Sequence, residues 1–304
     1  MRKKIKILIP GGTGFIGFHL ALFLKNKGWN VHSLSKYKPK KKRKIKGIKY
    51  IYCNVDDIKK LENKIDTHYD YIVNLSGYVD HSDKSEIISS HFNGCKNLAS
   101  LFLKTKIKKF IQIGSSVEYG KIKSPQKENK KNLQKTFSFY GKAKLMSTKF
   151  LLNLKKKYSF PVTILRLYLV YGPYQDTNRI IPFTIMNALK NKRFKCSTGN
   201  QLRDFLYIDD LIEIIFKILN NDKSNGEILN VGSGIPISVK KLIIKICKLS
   251  KGGNPEFGKI NFRKDELLKL YPNLSKLKKI TNWHQKISLE KGLKRTIKYY
   301  KEFI

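Results

Sequence analysis

Tyr140-Gly141-Lys142-Ala143-Lys144 sets a phenol and an ammonium four residues apart. On a helix that spacing stacks the two side chains on one face. Upstream, Gly114-Ser115-Ser116 follows a strand-like run, and the Ser115 hydroxyl is able to bond the same substrate oxygen that Tyr140 would protonate. Near the chain start, Gly11-Gly12-Thr13-Gly14-Phe15-Ile16-Gly17 has the spacing GxxGxxG. Glycines at such points permit a tight turn, let the backbone approach a pyrophosphate, and let a helix pack on the preceding strand. Dinucleotide binding is the function that spacing predicts. A free tyrosine has a pKa of about 10, so work near neutrality means a shift of about 3 units, roughly 4 kcal/mol. A close Lys144, aided by the cationic ring of an oxidised nicotinamide, supplies a field of that kind. Singly, a YxxxK or a serine pair is common by chance; the ordered set is not.

These residues need a frame. Short β-branched runs at 5–9, 31–34, 48–52, 71–75, 110–113 and 162–167 alternate with helical spacing at 17–27, 87–104 and 142–157. Strict alternation predicts a parallel sheet covered on both faces, because parallel strands need a crossover. The fold class is α/β: a Rossmann-type doubly wound parallel sheet over residues 1–172, with a smaller C-terminal α+β substrate domain over 173–304. A segment around 204–235 is able to return to the first domain. The second strand ends in Ser35-Lys36, where an acidic residue would read the ribose 2′-OH of NAD. A hydroxyl and an ammonium would instead welcome a 2′-phosphate, so NADP(H) is the preferred cofactor and NAD(H) the alternative. The basic stretch 36–46 reads as a solvated loop for most of its lysines.

Composition narrows the class. The 304 residues are 41% hydrophobic and 12% aromatic, enough for real cores and against disorder. No apolar run reaches the roughly 18 to 20 residues of a membrane span, and the basic start leads straight into the glycine turn. Cys53, Cys95, Cys196 and Cys247 show no CxxC pair or metal spacing, which reads as reduced thiols of a cytoplasmic protein with no metal site. The net charge of +41 would suggest nucleic acid, but 55 lysines against 8 arginines, spread through nearly every segment, point to a chain-wide lysine bias.

With Asn74-Leu75-Ser76-Gly77, Ser115 to Gly120, Arg166 to Pro173, Arg203-Asp204-Phe205, Asn230-Val231-Gly232 and the tail from Asn282-Trp283 to Gly292-Leu293 added, the chain resembles an extended short-chain dehydrogenase/reductase of the nucleotide-sugar epimerase/dehydratase family almost end to end. The resemblance implies a nucleotide-sugar substrate held by the C-terminal domain. It implies Tyr140 as acid/base, Lys144 on the nicotinamide ribose and on the tyrosine, and Ser115 at the reacting carbonyl. It places Gly11, Gly14, Phe15, Ile16, Gly17, Ser35 and Lys36 at the cofactor, Asn54 and Val55 at the adenine, and Leu75, Ser76 and Gly77 alongside. Ser116 and Arg179 are expected at the substrate, with Arg203 and Arg263 on its diphosphate. Helices 87–104 and 140–157 match a dimer interface of relatives, which Leu98, Leu101, Phe102, Leu151 and Leu152 would seed.

Departures bear on the reaction. Dehydratases of the group follow their hydroxyl residue with an Asp–Glu pair; here the positions hold Ser116 and Val117, which argues against a dehydratase. Glu118, one place along, reads as structural. His91 stands where many relatives have Asn and reads as a helix histidine meeting structural needs, with a proton relay as the alternative. Leu169 stands where they have Asn before VYGP. The leading expectation is an NAD(P)-dependent reductase of a 4-keto (6-deoxy) sugar nucleotide, the alternative an NAD-retaining 4-epimerase, and the third reading a non-catalytic dinucleotide or RNA binder.

Overall fold

The computed structural model describes residues 4–78, 83–128, 136, 138–262 and 266–304. In chain order the strands are β1 (Lys6–Pro10), β2 (Asn30–Ser35), β3 (Lys49–Tyr52), β4 (Tyr71–Asn74), β5 (Lys109–Ser115), β6 (Val162–Leu167), β7 (Leu169–Tyr171), β8 (Arg193–Lys195), β9 (Leu202–Tyr207), β10 (Ile228–Val231), β11 (Pro236–Ser238), β12 (Asn254–Glu256) and β13 (Lys269–Leu270). The main sheet runs β3-β2-β1-β4-β5-β6-β10. Every pairing in it is parallel, so all C-terminal ends open on one edge. The expected strands are therefore present, and the late segment β10 returns to close the sheet beside β6.

Helices cover both faces because the strands are apolar on both. In β1, Ile7 and Ile9 face one core and Leu8 the other, the two-residue alternation of a pleated strand. The first core is closed by α1 (Phe15–Asn26); the second by α2 (Ile58–Lys64) and, beyond α3 (Lys84–Ile88), by α4 (Gly94–Phe102) and α5 (Phe139–Tyr158). Leu98, Phe102 and Leu151 are fully buried there against the sheet of their own chain. They therefore do not seed an external interface, and of the five expected positions only Leu101 and Leu152 remain partly exposed.

The helix expected over 87–104 is interrupted. A π-turn, Ser89–Asn93, separates α3 from α4. The Ser90 hydroxyl donates to Glu86 O at 2.7 Å, and the His91 carbonyl accepts from Ser147 Oγ at 2.8 Å, so side chains satisfy groups that a regular helix would pair internally.

After β6 the chain builds a smaller layer. The first half of β9 pairs with β11 and β13, the second half with β7, while β8 and β12 pair separately. Helices α6 (Ile180–Leu189), α7 (Ile208–Leu219), α8 (Val239–Ser250), α9 (Ser275–Thr281) and α10 (Leu289–Lys301) follow in order, and α7 packs on α1 in the first core. The lysines of the 36–46 loop are exposed as expected, but Arg43 is buried: its Nε donates to Tyr174 O at 3.0 Å, and its Nη2 lies 3.0 Å from Asp176. Among the described residues no helix is long and apolar enough to cross a membrane.

Candidate active site

The glycine turn sits at the C-terminal edge of β1 and is locked by backbone. Gly11 has φ +80°, and a Cβ on it would fall 2.5 Å from the Leu75 carbonyl; one on Gly17 would fall 2.3 Å from Gly11 O. Side chains are excluded at both points, which leaves a bare backbone cradle. Gly14 begins α1 without a side-chain cap, and the first turn holds no acidic residue, so the amides at Phe15 and Ile16 face no competing carboxylate. That cradle fits the pyrophosphate of a dinucleotide. Leu75 and Ser76 continue from β4 beside it, and Ser76 is held by Asn74 through bonds of 2.5 Å from Oγ and 3.1 Å from N. Val55 is buried after β3, with Asn54 before it, and its carbonyl accepts from Asn97 Nδ2 at 3.2 Å.

Ser35 is less available than its position suggests. Its hydroxyl donates to Leu34 O at 2.7 Å and accepts from Thr13 N at 3.3 Å, bracing the glycine turn. Lys36 is exposed, its ammonium 3.6 Å from Glu86.

The chemistry converges at the ends of β5 and α5. Ser138 caps α5 by accepting from Gly141 N at 3.0 Å, which fixes Tyr140 in the first turn and Lys144 one turn later. The Tyr140 phenol is hydrogen-bonded with Ser115, and the His91 ring meets its ring edge-on at 5.0 Å between centroids. His91 also fills the space over Gly77 and reaches Tyr78 O from Nε2 at 3.1 Å. Lys144 is buried, donates to Ile113 O at 2.8 Å, and lies 5.9 Å from the Tyr140 ring centre.

Burial sets the electrostatics. Desolvation pushes the phenol of Tyr140 up to about 12, against the opposing hydrogen bond from Ser115, and pulls Lys144 down to about 8. This is opposite to the shift toward neutrality expected for Tyr140. Burial, helped by the charge of Glu118, outweighs the Ser115 hydrogen bond and the charge of Arg179.

Glu118 anchors the centre, in keeping with its structural reading. Fully buried, it accepts from Ser115 N at 2.7 Å, Thr148 Oγ1 at 2.7 Å and Arg166 Nε at 3.0 Å. The lone arginine of the apolar strand VTILRL was the sequence signal for such a partner. Ser116 is buried beside Ser115.

A cavity of about 460 Å³ opens beyond β7, lined by Arg179, Phe183, Phe194, Gln201, Phe262 and Glu266 among others. Arg179 is exposed there at the start of α6, and its charge acts on Tyr140. Arg203 is buried on β9 and already engaged: one nitrogen donates to Leu202 O at 2.8 Å, another to the carboxylate of Glu266. Arg263 lies outside the described residues. Sequence reasoning missed Glu266 and Gln201; the buried Oε1 of Gln201 has no hydrogen-bond partner among the described residues.

A parallel Rossmann-type sheet, a glycine cradle on its edge, and a serine, tyrosine and lysine brought together beside it define the extended short-chain dehydrogenase/reductase class. The chain belongs to the NAD dependent epimerase/dehydratase family, whose model matches residues 7–232. Its relatives differ in reaction. It is 30% identical over 321 residues to a UDP-N-acetyl-alpha-D-glucosaminuronate decarboxylase of Bacillus cytotoxicus, covering 98% of each chain. It is 27% identical to a dTDP-D-glucose 4,6-dehydratase of Bos taurus, over 98% of this chain and 89% of that one. The crystal structure of a UDP-glucuronic acid 4-epimerase from Bacillus cereus, in complex with UDP-glucuronic acid and NAD, superimposes with a TM-score of 0.87 at 25% identity, covering 99% of this chain and 100% of that one. The chain is accordingly an enzyme of the nucleotide-sugar group.

Proposed function

We propose that the chain reduces the 4-keto group of a nucleotide-linked sugar. One observation supports the direction: the second strand ends in Ser35 and the exposed Lys36, with no carboxylate there for the ribose of a retained NAD, which suits a cofactor taken up as NADPH and released. A nicotinamide dinucleotide, when bound, supplies the hydride. Gly11, Gly14 and Gly17 would hold its pyrophosphate, and Lys144 its ribose. Ser115 donates to the carbonyl oxygen and stabilises the negative charge that hydride addition builds on it, Tyr140 gives that oxygen a proton, and Glu118 keeps Ser115 in place through its backbone amide. Arg179 and Arg203 serve the diphosphate, Arg203 by exchanging Glu266 for phosphate oxygens.

Water loss from the sugar needs a free acid and base. Ser116 and Val117 offer none, and the Glu118 carboxylate is committed to three donors, which disfavours the dehydratase reaction of some relatives. NADP(H) is favoured over NAD(H) by the lack of a carboxylate at Ser35 and the exposed ammonium of Lys36. The assignment as a cytoplasmic protein rests on the reduced thiols, and a homodimer would use Leu101 and Leu152.

Purified protein supplied with UDP-, dTDP- and CDP-linked 4-keto sugars is expected to consume NADPH on one of them. Tightly bound NAD in the purified protein, with interconversion of two sugar nucleotides and no added cofactor, would establish the epimerase instead.

A further inference from the structure

The loop after β2 and the wall of the cavity are tied together by one side chain. The stretch 36–46 holds seven lysines and a single arginine, Arg43. The lysines are exposed, whereas Arg43, closing the 3₁₀ turn Lys41–Arg43, is 4% exposed. Its Nε donates to Tyr174 O, and its Nη2 donates to the same oxygen and to Asp176 Oδ1. A planar fork suits a carbonyl and a carboxylate side by side better than a point-like ammonium.

The segment that Arg43 grips carries the cavity. Gln175, Asn178 and Arg179 line it, and Asp176 O accepts from Arg179 N at 3.1 Å, which joins Asp176 to the start of α6. Tyr174 has φ +65°, a conformation that a bulky residue keeps only where its surroundings fix it. Those surroundings come from elsewhere in the chain. The rings of Phe18 and His19 on α1 lie 4.6 and 5.8 Å from that of Tyr174, and the ring of Tyr299 on α10 lies 4.5 Å away. His19 Nε2 also donates to Pro173 O at 2.9 Å.

Both anchors belong to elements at the cofactor cradle. Helix α1 begins there, and the 36–46 loop follows Ser35, whose hydroxyl braces Thr13 of the glycine turn. Order imposed on α1 and the loop by a dinucleotide in the cradle therefore reaches 173–179 through His19 and Arg43. The carboxylate is the lesser part of the link: Asp176 is 42% exposed and its second cation, Lys40, 63%, so these charges are screened. The buried bonds to Tyr174 O are the greater part.

Resting on the nucleotide-sugar reading above, we propose that Arg43 is a positioning residue, which passes the order of the occupied cofactor cradle to the cavity wall that carries Arg179, so that a nucleoside diphosphate binds more tightly to the cofactor-loaded chain. Each ligand leaves less ordering for the other to supply, and the coupling is reciprocal.

The test is titration of UDP, dTDP and CDP into the full chain freed of nucleotide, alone and with saturating NADP⁺ or NAD⁺, beside hydrogen exchange of the amides of 174–179. On the base that binds, the dinucleotide should tighten the diphosphate about tenfold and slow exchange in that segment. Arg43→Met should bring the factor close to one and leave exchange there indifferent to dinucleotide, which still binds. Asp176→Asn, which spares the bonds to Tyr174 O, should keep most of the factor. A merely structural role would lower stability or both affinities and leave the factor as it was. Should Arg43→Met fail to fold, Arg43→Lys, which keeps the charge and loses the fork, should still reduce the factor. A wild-type factor of one, or a factor unmoved in the folded Arg43 variant, overturns the assignment and leaves the nucleotide-sugar reading standing. Failure of every diphosphate, or of both dinucleotides, to bind the wild type overturns that reading and this one together.

Discussion

At the glycine turn the wall of the site is backbone: the spaces beside Gly11 and Gly17 are closed by the Leu75 carbonyl and by Gly11 O. Across β7 the wall is side chains, drawn from β7, α6, β8, β9 and the stretch before β13, and one of its arginines is already paired with a glutamate. A backbone cradle admits one shape and tolerates little change. A side-chain cavity changes its preference with each substitution. The chemical centre lies between the two and is held by Glu118.

The largest effect is expected at that centre. Tyr140→Phe removes the proton donor and leaves the cradle untouched, so kcat should fall by about 10²- to 10⁴-fold while dinucleotide affinity persists. Steady-state turnover of a 4-keto sugar nucleotide, beside cofactor titration, checks both halves; unchanged turnover would remove Tyr140 from the reaction.

Glu118→Gln comes next and acts through the frame. It leaves the buried Arg166 without its anion and turns an amide toward Thr148 and Arg166, so the cost is about 3–5 kcal/mol of stability. Chemical denaturation reads the loss. A variant as stable as the wild type would mean that the centre is held by helix and sheet packing alone.

The same division decides what was legible in the sequence. The backbone cradle was readable because glycine has few uses and its spacing is local. Tyr140 and Lys144 were readable because one helix turn brings them together. The pairing of Glu118 with Arg166 joins positions 48 residues apart through a strand register, and of it only a lone charge in an apolar strand was visible. Glu266 had no local signal at all: 63 positions from Arg203, it becomes that residue's neighbour only when the small sheet forms. The π-turn was missed for a related reason, since the hydroxyl that supports it, Ser147, belongs to α5.

A pH profile sharpens the contrast between centre and cavity by isolating Lys144. Burial lowers its pKa to about 8 from the ordinary 10.5. Between those values the unfolded chain holds a proton that the native chain has released, so this residue's contribution to stability rises with pH. Activity that needs the ammonium moves the other way: kcat/KM should fall above about pH 8, approaching tenfold per unit. Lys144→Arg, whose charge persists, should move that limb to higher pH. A flat profile through pH 9 would place the essential charge elsewhere.

The smallest effect is expected in the cavity and has a sign that discriminates. The Arg203 side chain is 9% exposed and that of Glu266 23%, so the pair is largely shielded from water. If Glu266 merely occupies the guanidinium until phosphate arrives, Glu266→Gln should tighten binding of the free nucleoside diphosphate a few-fold, while Arg179→Ala, which removes an exposed cation, should weaken it. Isothermal titration of the two variants measures both. Weaker binding by Glu266→Gln would show that the carboxylate meets the ligand directly, and the cavity would then read hydrogen-bond donors of the nucleoside as well as the charge of its diphosphate.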